Sequence, residues 1–306
     1  MADVLRSAPS APAPVVARRS PGAVVLVVAA VLSVQFGGAV ATLLFPRVGV
    51  DGAVTLRLTI AALVLLAACR PRVRGYQCSD WLLIGGFGVA LAGMNTLFYR
   101  AIELMPLGPA VMLEVLGPLV LSVVTARRAA SWLWACLAGA GVTLLNSTGF
   151  DRLDPAGAGL AVAAGAMWAG YILLSARAGQ RFPKADGLAL AMVAAAVITL
   201  PLGAGSAMAA VASPAVLAMG FAVALLSSVL PYTFELLALR RMSTTTFAVL
   251  MSLGPAVAAL AGLVILHQHL TIVESLAIAL VIAADIGAVR TPPRPSTPAA
   301  DDAGAA

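Results

Sequence analysis

The chain has 306 residues, of which 61% are hydrophobic and only 10% are charged, and its mean hydropathy is +1.00. A water-soluble domain carries roughly 25% charged residues, because its surface must be largely polar. This composition excludes an ordinary soluble enzyme. The net charge of +6 does not indicate nucleic-acid binding, because the basic residues lie in short clusters between apolar runs.

Ten apolar segments follow one another along the chain, each near the ~20 residues that a helix needs to cross a bilayer. Backbone polar groups inside lipid must be satisfied within their own segment, so each is predicted to be a helix. The sequence therefore predicts an all-α integral membrane protein with ten transmembrane helices, at 22–45, 51–69, 80–99, 107–125, 131–147, 156–176, 187–204, 215–239, 245–266 and 271–289. Residues 1–21 and 290–306 are expected to be disordered cytoplasmic tails, because they are rich in Ala and Pro.

The distribution of basic residues predicts the orientation. With a cytoplasmic N-terminus, the inner connections and tails hold 15 of the 19 basic residues, and the outer connections hold three. The positive-inside rule favours this arrangement. We expect a multi-pass inner-membrane protein with both termini in the cytoplasm.

The two halves of the chain resemble each other. Residues 101–118 and 238–255 coincide at six of 18 positions, including Leu116-Gly117-Pro118 and Leu253-Gly254-Pro255. The offset carries helix 4 onto helix 9, which would run in opposite directions. The sequence thus predicts two inverted five-helix repeats, 22–147 and 156–289, as in many secondary transporters.

The two Gly-Pro pairs are predicted to break helices 4 and 9. Proline has no N–H, so Pro118 and Pro255 release the carbonyls of Glu114 and Met251. Such a break is either a packing kink or a polar wall of a substrate cavity.

Ionisable residues within the spans are candidate site residues, because each costs at least ~2.5 kcal/mol to insert. Arg57 lies six residues into helix 2 and Glu114 seven into helix 4. Both helices start from the outer side, so the two side chains share a layer about 10 Å below that boundary. The pair is either a structural ion pair or a site for binding and coupling.

Other polar residues of the spans have weaker interpretations. Glu235 is a second candidate for proton coupling, or a partner of Arg240, and Asp285 is expected to be structural. His267 and His269 are expected to be surface residues, because two helical positions two apart face different sides. The polar candidates that complete a substrate cavity are Gln35, Asn95, Tyr99, Trp168, Tyr171 and Tyr232.

Motifs of enzymes are missing from the sequence. It contains no Gly-rich phosphate loop, H-E-x-x-H, nucleophile elbow or Cys/His ligand set. We therefore expect no enzyme activity, no cofactor and no bound metal. A membrane-embedded enzyme and a channel stay as rival classes without a supporting motif.

Several short motifs resemble the EamA-type transporters of the drug/metabolite transporter superfamily, and within it the threonine/homoserine exporter branch. The resemblance covers residues 22–289. It rests on Ser33-Val34-Gln35, Leu44-Phe45-Pro46, Leu56-Arg57-Leu58, Gly93-Met94-Asn95, Leu97-Phe98-Tyr99, Pro106-Leu107-Gly108, Leu113-Glu114, Gly117-Pro118-Leu119, Leu230-Pro231-Tyr232, Phe234-Glu235, Arg241 and Thr246-Phe247.

The resemblance implies an inner-membrane exporter of small neutral amino acids or related metabolites, driven by protons, with its pocket between the repeats. This chain departs from the branch at Thr42, Gly254 and His267-Gln268, where the branch usually carries a lysine-like residue, an acidic residue and a Gly-Glu pair.

The opposed charges of Arg57 and Glu114 would suit a zwitterion, with the cargo carboxylate on Arg57 and its ammonium on Glu114. Proton and cargo would then compete for Glu114, which predicts antiport by alternating access. A drug cation, a nucleobase or a sugar derivative is the alternative cargo. The expected partners are a small-molecule substrate, protons and the lipid bilayer, with a homodimer left open.

Overall fold

The computed structural model of the protein describes residues 21–290, except for residues 72, 127–128, 148–153, 184, 212, 240, 242–246 and 248–249. Almost all of both predicted tails, and Arg240 as a partner for Glu235, lie outside the described residues. Every regular element of the described chain is helical, as the composition predicts. The elements are α1 (Pro21–Cys69), α2 (Cys78–Leu104), α3 (Leu107–Ala126), α4 (Ala129–Ser147), α5 (Pro155–Arg181), α6 (Asp186–Val211), α7 (Pro214–Ala224), a π-helical turn (Leu225–Val229), α8 (Leu230–Leu239), α9 (Gly254–Leu266) and α10 (Ile272–Arg290).

Five helical stretches are long and apolar enough to cross a membrane by their length and composition. They are Pro21–Cys69, Cys78–Leu104, Pro155–Arg181, Asp186–Met208 and Pro214–Glu235. Shorter apolar helices cover Leu107–Leu121, Trp132–Val142 and Gly254–Leu266. The protein is therefore a multi-pass membrane protein built from helices.

The first helix differs from the two separate helices that the sequence predicts. α1 has 49 residues, and its two helical arms meet at a kink at Gly49, where φ is 66° and ψ is 171°. Glycine adopts this left-handed φ at no steric cost. The expected loop between 45 and 51 is thus a bend at one residue rather than a stretch of coil.

Side chains at the ends of the helices satisfy the backbone N–H groups that a first turn leaves unpaired. The carboxylate of Asp154 accepts from the N–H groups of Ala156 at 2.7 Å and Gly157 at 3.3 Å at the start of α5. At the start of α10 the Glu274 carboxylate accepts from the Thr271 N–H at 2.6 Å. These caps mark where the helices begin in a chain with few polar residues.

The helices pack through small residues. α1 contacts α6, α7, α8 and α9, α2 contacts α5 and α6, α3 contacts α5 and α9, and α4 contacts α10. A side chain at Gly117 would collide with the backbone of Gly165, so α3 and α5 cross with their backbones in contact. Close approach at small residues is the usual source of helix association in lipid.

The two Gly-Pro pairs have different surroundings. α3 continues through Gly117 and Pro118, so the first predicted break does not interrupt its helix. The carbonyl of Glu114, which Pro118 releases, faces Gly165 of α5. At the second pair the helix does break: Pro255 occupies the first turn of α9, where a missing N–H costs nothing.

Candidate functional site

A cavity of about 380 Å³ lies between α1, α2, α3, α5, the π-helical turn, α8, α9 and α10. This volume is within the range of small-molecule sites. Of the residues predicted to form helix breaks, Pro118 and Gly254 line the cavity, whereas Gly117 and Pro255 do not. All eight predicted substrate-binding residues and the second proton-coupling candidate line it: Gln35, Arg57, Asn95, Tyr99, Glu114, Trp168, Tyr171, Tyr232 and Glu235.

Arg57 is the cation of the cavity wall, and only 7% of its surface is exposed. Its Nη1 donates to the hydroxyl of Tyr99 at 3.0 Å, and its Nη2 donates to the carbonyl of Ser227 at 2.9 Å. Its Nε donates to the hydroxyl of Ser228 at 3.3 Å. The guanidinium also lies over the Tyr99 ring, with Cζ 5.3 Å from the centroid, a cation–π arrangement.

Glu114 is close enough to Arg57 to interact with it electrostatically. No direct ion pair joins the two side chains in the part of the chain that the structure covers. Three of the five N–H donors of Arg57 are committed to Tyr99, Ser227 and Ser228, and two remain. The alternative of a closed structural ion pair is therefore not the arrangement observed.

The local structure of α7 and α8 explains two of these contacts. In the π-helical turn, the N–H of Leu230 donates to the carbonyl of Leu225 rather than Leu226, and Pro231 has no N–H for Ser227. The carbonyls of Leu226 and Ser227 therefore lack the donor four residues on that a regular α-helix supplies. The hydroxyl of Ser33 donates to the first at 2.7 Å, and Arg57 donates to the second.

Sequence reasoning missed Ser33, Ser227 and Ser228 as neighbours of the site. The sequence does contain a signal for Ser227. Pro231, like Pro118 and Pro255, has no N–H and so releases the carbonyl four residues earlier, which is that of Ser227. The π-helical turn itself has no comparable signal, because it depends on the packing of α7 and α8 against α1.

Aromatic side chains form much of the remaining wall. Trp168 and Tyr171 come from α5 and Tyr232 from α8, and the hydroxyl groups of Tyr171 and Tyr232 interact. The amide nitrogen of Asn95 donates to the Leu91 carbonyl of its own helix at 2.8 Å. Aromatic faces attract cations, so this wall suits the ammonium group of a small cargo.

Comparisons with known proteins indicate the family of this chain. The EamA-like transporter family matches residues 155–289. The threonine/homoserine exporter RhtA of Escherichia coli (strain K12) is 40% identical over 270 residues, which cover 88% of this chain and 91% of the exporter. The same exporter of Salmonella typhimurium (strain LT2) matches to the same extent. The chain belongs to the EamA-like transporter family.

The fold of this EamA-like transporter has a counterpart among solved structures. One crystal structure covers 87% of this chain and 96% of its own, with a TM-score of 0.59 at 21% identity. At this identity the likeness concerns the fold alone.

Asp285 is a further carboxyl group of this EamA-like transporter whose position the sequence did not indicate. It was expected to be structural, but it lines the cavity and is 7% exposed. It makes no hydrogen bond or ion pair among the described residues. The cavity wall thus holds three carboxyl groups, those of Glu114, Glu235 and Asp285, and the guanidinium of Arg57.

The two histidines lie away from the cavity lining. His267 ends α9 with a left-handed φ of 53°, and both histidines are exposed. No group of three metal-binding side chains exists within the described ranges. The neighbouring Gln268 has a structural contact, because its Oε1 accepts from the Leu107 N–H at 3.1 Å at the start of α3.

Proposed function

We propose that this EamA-like transporter exports small neutral amino acids or related metabolites of the threonine and homoserine type. The names of the relatives support an amino-acid cargo. The observation that carries the proposal is the shared cavity of Arg57 and Glu114, two opposite charges without a direct ion pair. A zwitterion supplies the counter-charge that each of them lacks.

The cargo is oriented by charge. Its carboxylate binds the guanidinium of Arg57, because charge-assisted bonds to a planar fork are the strongest available here. Its ammonium binds the carboxylate of Glu114 beside the aromatic wall. The polar side chains of Gln35 and Asn95 line the same cavity, and they suit a cargo whose own side chain is small and polar or neutral.

Proton antiport follows from the same carboxyl groups. A proton and the cargo ammonium compete for Glu114, and Glu235 is a second proton site. A buried carboxylate that releases the cargo ammonium must take up a proton in its place, because an isolated buried charge is costly. Release of cargo is thereby linked to uptake of a proton.

We also propose ten membrane spans arranged as two inverted repeats, with both termini in the cytoplasm. The packing supports the repeat: several contacts recur when each span is exchanged for the one five places on, such as that of α3 with α5 and that of α9 with α1. The contact of α2 with α6 corresponds to that of α7 with α1. In each pair a glycine makes the close approach, Gly88 to Ala194 and Gly220 to Leu56.

The proposed cargo is tested by binding and export of labelled L-threonine with single variants. Arg57→Gln and Glu114→Gln should each reduce binding at least about 10-fold, because each removes a charge-assisted bond worth ~1.5–3 kcal/mol. Arg100→Gln and Glu103→Gln are matched controls on the exposed end of α2 and should retain binding.

The same variants distinguish a zwitterionic cargo from a cationic one. A cation transporter depends on Glu114 and tolerates Arg57→Gln. If Glu114→Gln loses binding and Arg57→Gln keeps it, the cargo is therefore a cation and not a zwitterion. If export by Glu114→Gln in inverted vesicles still depends on protons, Glu114 takes no part in the coupling step.

A further inference from the structure

The π-helical turn Leu225–Val229 is attached to both arms of α1. The hydroxyl of Ser33, on the first arm, donates to the carbonyl of Leu226, and Arg57, on the second arm, donates to the carbonyl of Ser227. A side chain at Gly37 would collide with the hydroxyl of Ser227, so the close approach requires glycine there. The turn and the binding residue Arg57 therefore form one unit.

The contacts of Arg57 compete with a cargo. A bidentate carboxylate needs two donors on neighbouring nitrogens of the guanidinium. The guanidinium has two such edges, Nε with Nη2 and Nη1 with Nη2. On the first edge both nitrogens already donate, to the hydroxyl of Ser228 and the carbonyl of Ser227. The second edge keeps one uncommitted N–H on each nitrogen, but it shares Nη2 with the Ser227 carbonyl and Nη1 with Tyr99. A carboxylate is a charged acceptor and binds about twice as strongly as these neutral oxygens, so it can displace them.

The turn also contains a polar group that has no partner in its present arrangement. The hydroxyl of Ser227 is buried without a hydrogen-bond partner in the part of the chain described. An unpaired buried hydroxyl destabilises the arrangement that holds it. A rearrangement of the turn that pairs this hydroxyl is thus favoured once the Ser227 carbonyl is released.

We propose that the π-helical turn positions Arg57 and exchanges its hydrogen bonds with Arg57 for those of the cargo when cargo binds. The cargo carboxylate takes the Nε and Nη2 donors of Arg57, and Tyr99 keeps Nη1. The carbonyl of Ser227 and the hydroxyl of Ser228 are released, and the α7–α8 segment repacks against α1. Binding is thereby converted into movement of a membrane-spanning helix. This inference rests on the proposed binding of a carboxylate by Arg57.

Pro231→Ala tests the proposal directly. The new N–H at position 231 can donate to the Ser227 carbonyl in a regular helix, so the carbonyl no longer competes for Arg57. Labelled L-threonine should bind the purified protein roughly 3- to 10-fold more tightly, the effect of one neutral hydrogen bond. The maximal rate of counterflow in proteoliposomes should fall, because binding no longer drives the rearrangement.

Pro201→Ala is the matched control. Pro201 lies inside α6 with its side chain exposed, and this substitution should leave both affinity and rate unchanged. Wild-type affinity and rate in Pro231→Ala, or a parallel loss of both in a folded protein, would overturn the proposal.

Ser33→Ala and Ser33→Thr provide a second test that does not depend on Pro231. Ser33→Ala removes the partner of the Leu226 carbonyl without touching Arg57. The counterflow rate should fall while threonine affinity stays within about twofold, and the hydroxyl of Ser33→Thr should restore the rate. An unchanged rate in Ser33→Ala would contradict the proposal.

Arg57→Gln separates failure of this inference from failure of the proposed function. If Arg57→Gln still binds threonine, the carboxylate site itself is wrong. If Arg57→Gln abolishes binding but Pro231→Ala behaves as wild type, only the role of the turn is wrong.

Discussion

The guanidinium of Arg57 has partners from two helical elements, α2 and the π-helical turn, which together fix its direction. Tyr99 of α2 supplies both its hydroxyl and its ring face, while Ser227 and Ser228 supply two oxygens from the π-helical turn. These hydrogen bonds satisfy donors that burial would otherwise leave unpaired. The side chain is therefore presented to the cavity in one orientation.

Tyr99→Phe isolates the contribution of the hydroxyl. The ring and its cation–π contact stay, but Nη1 loses an acceptor, and Arg57 is less well oriented. We expect threonine binding to weaken roughly 10-fold, equivalent to ~1.4 kcal/mol, within the range for a bond to a charged group. Tyr76→Phe, in the connection between α1 and α2, is the control and should bind normally. Equal affinity in Tyr99→Phe and wild type would remove this hydroxyl from the orientation of Arg57.

The sequence singled out those cavity-lining residues that carry a charge in an apolar run. Arg57 and Glu114 stand out because insertion of each is costly, and both line the cavity. Ser33 and Ser228 do not stand out, because a serine in an apolar helix usually bonds its own backbone. Asp285 was expected to be structural because it is near a helix end, and the sequence did not indicate that the cavity extends along α10 as far as this residue.

At the scale of elements, the crossing of α3 and α5 determines the shape of the cavity. Gly117 and Gly165 bring the two backbones together, directly beside the carbonyl of Glu114. Both helices contribute to the cavity wall, with Glu114 from one and Trp168 from the other. A change in their separation would move these side chains apart.

Gly165→Ala should destabilise the protein, because the added methyl group meets backbone atoms that cannot move aside. Overpacking of this kind costs about 1–3 kcal/mol. Gly170→Ala on the same helix is the matched control, since nothing lies within 4 Å of the added atom. Thermal unfolding followed by size-exclusion chromatography should give a lower midpoint for Gly165→Ala only. Equal midpoints for the two variants would show that the crossing tolerates separation.

The sequence predicted the helical character of the described chain, but not where its helices are interrupted. Pro118 and Pro255 occur in the same Leu-Gly-Pro motif, yet α3 continues through the first and α9 begins at the second. The difference lies in the neighbours: Gly165 packs on the carbonyl that Pro118 releases. A proline determines which hydrogen bond is lost but not whether another helix stabilises the gap.

At the scale of the whole molecule, contacts between the two halves dominate the packing. α1 contacts α6 to α9, α2 and α3 contact α5, and α4 contacts α10. The cavity lies where elements of both halves meet. This arrangement suits a carrier in which one half moves against the other.

The proposed topology can be tested by labelling with a membrane-impermeant maleimide. Cys78 is exposed at the start of α2 and is expected on the cytoplasmic side, so wild-type protein should not react in intact cells. Ser213→Cys, between α6 and α7, is expected on the outer side and should react. Reversed reactivity would invert the orientation of the chain.

The two ends of α2 are held by different neighbours. At one end, the carboxylate of Asp80 binds Arg181 of α5 through two bonds, of 2.6 and 3.0 Å. At the other end, Arg100 binds Asp51 of α1 at 2.9 Å. The Asp80 carboxylate is almost fully buried, whereas Asp51 and Arg100 are accessible to water. The weaker, salt-sensitive tether is therefore at the Arg100 end. We expect α2 to rotate about its Asp80 end, so that its Arg100 end moves through the larger distance.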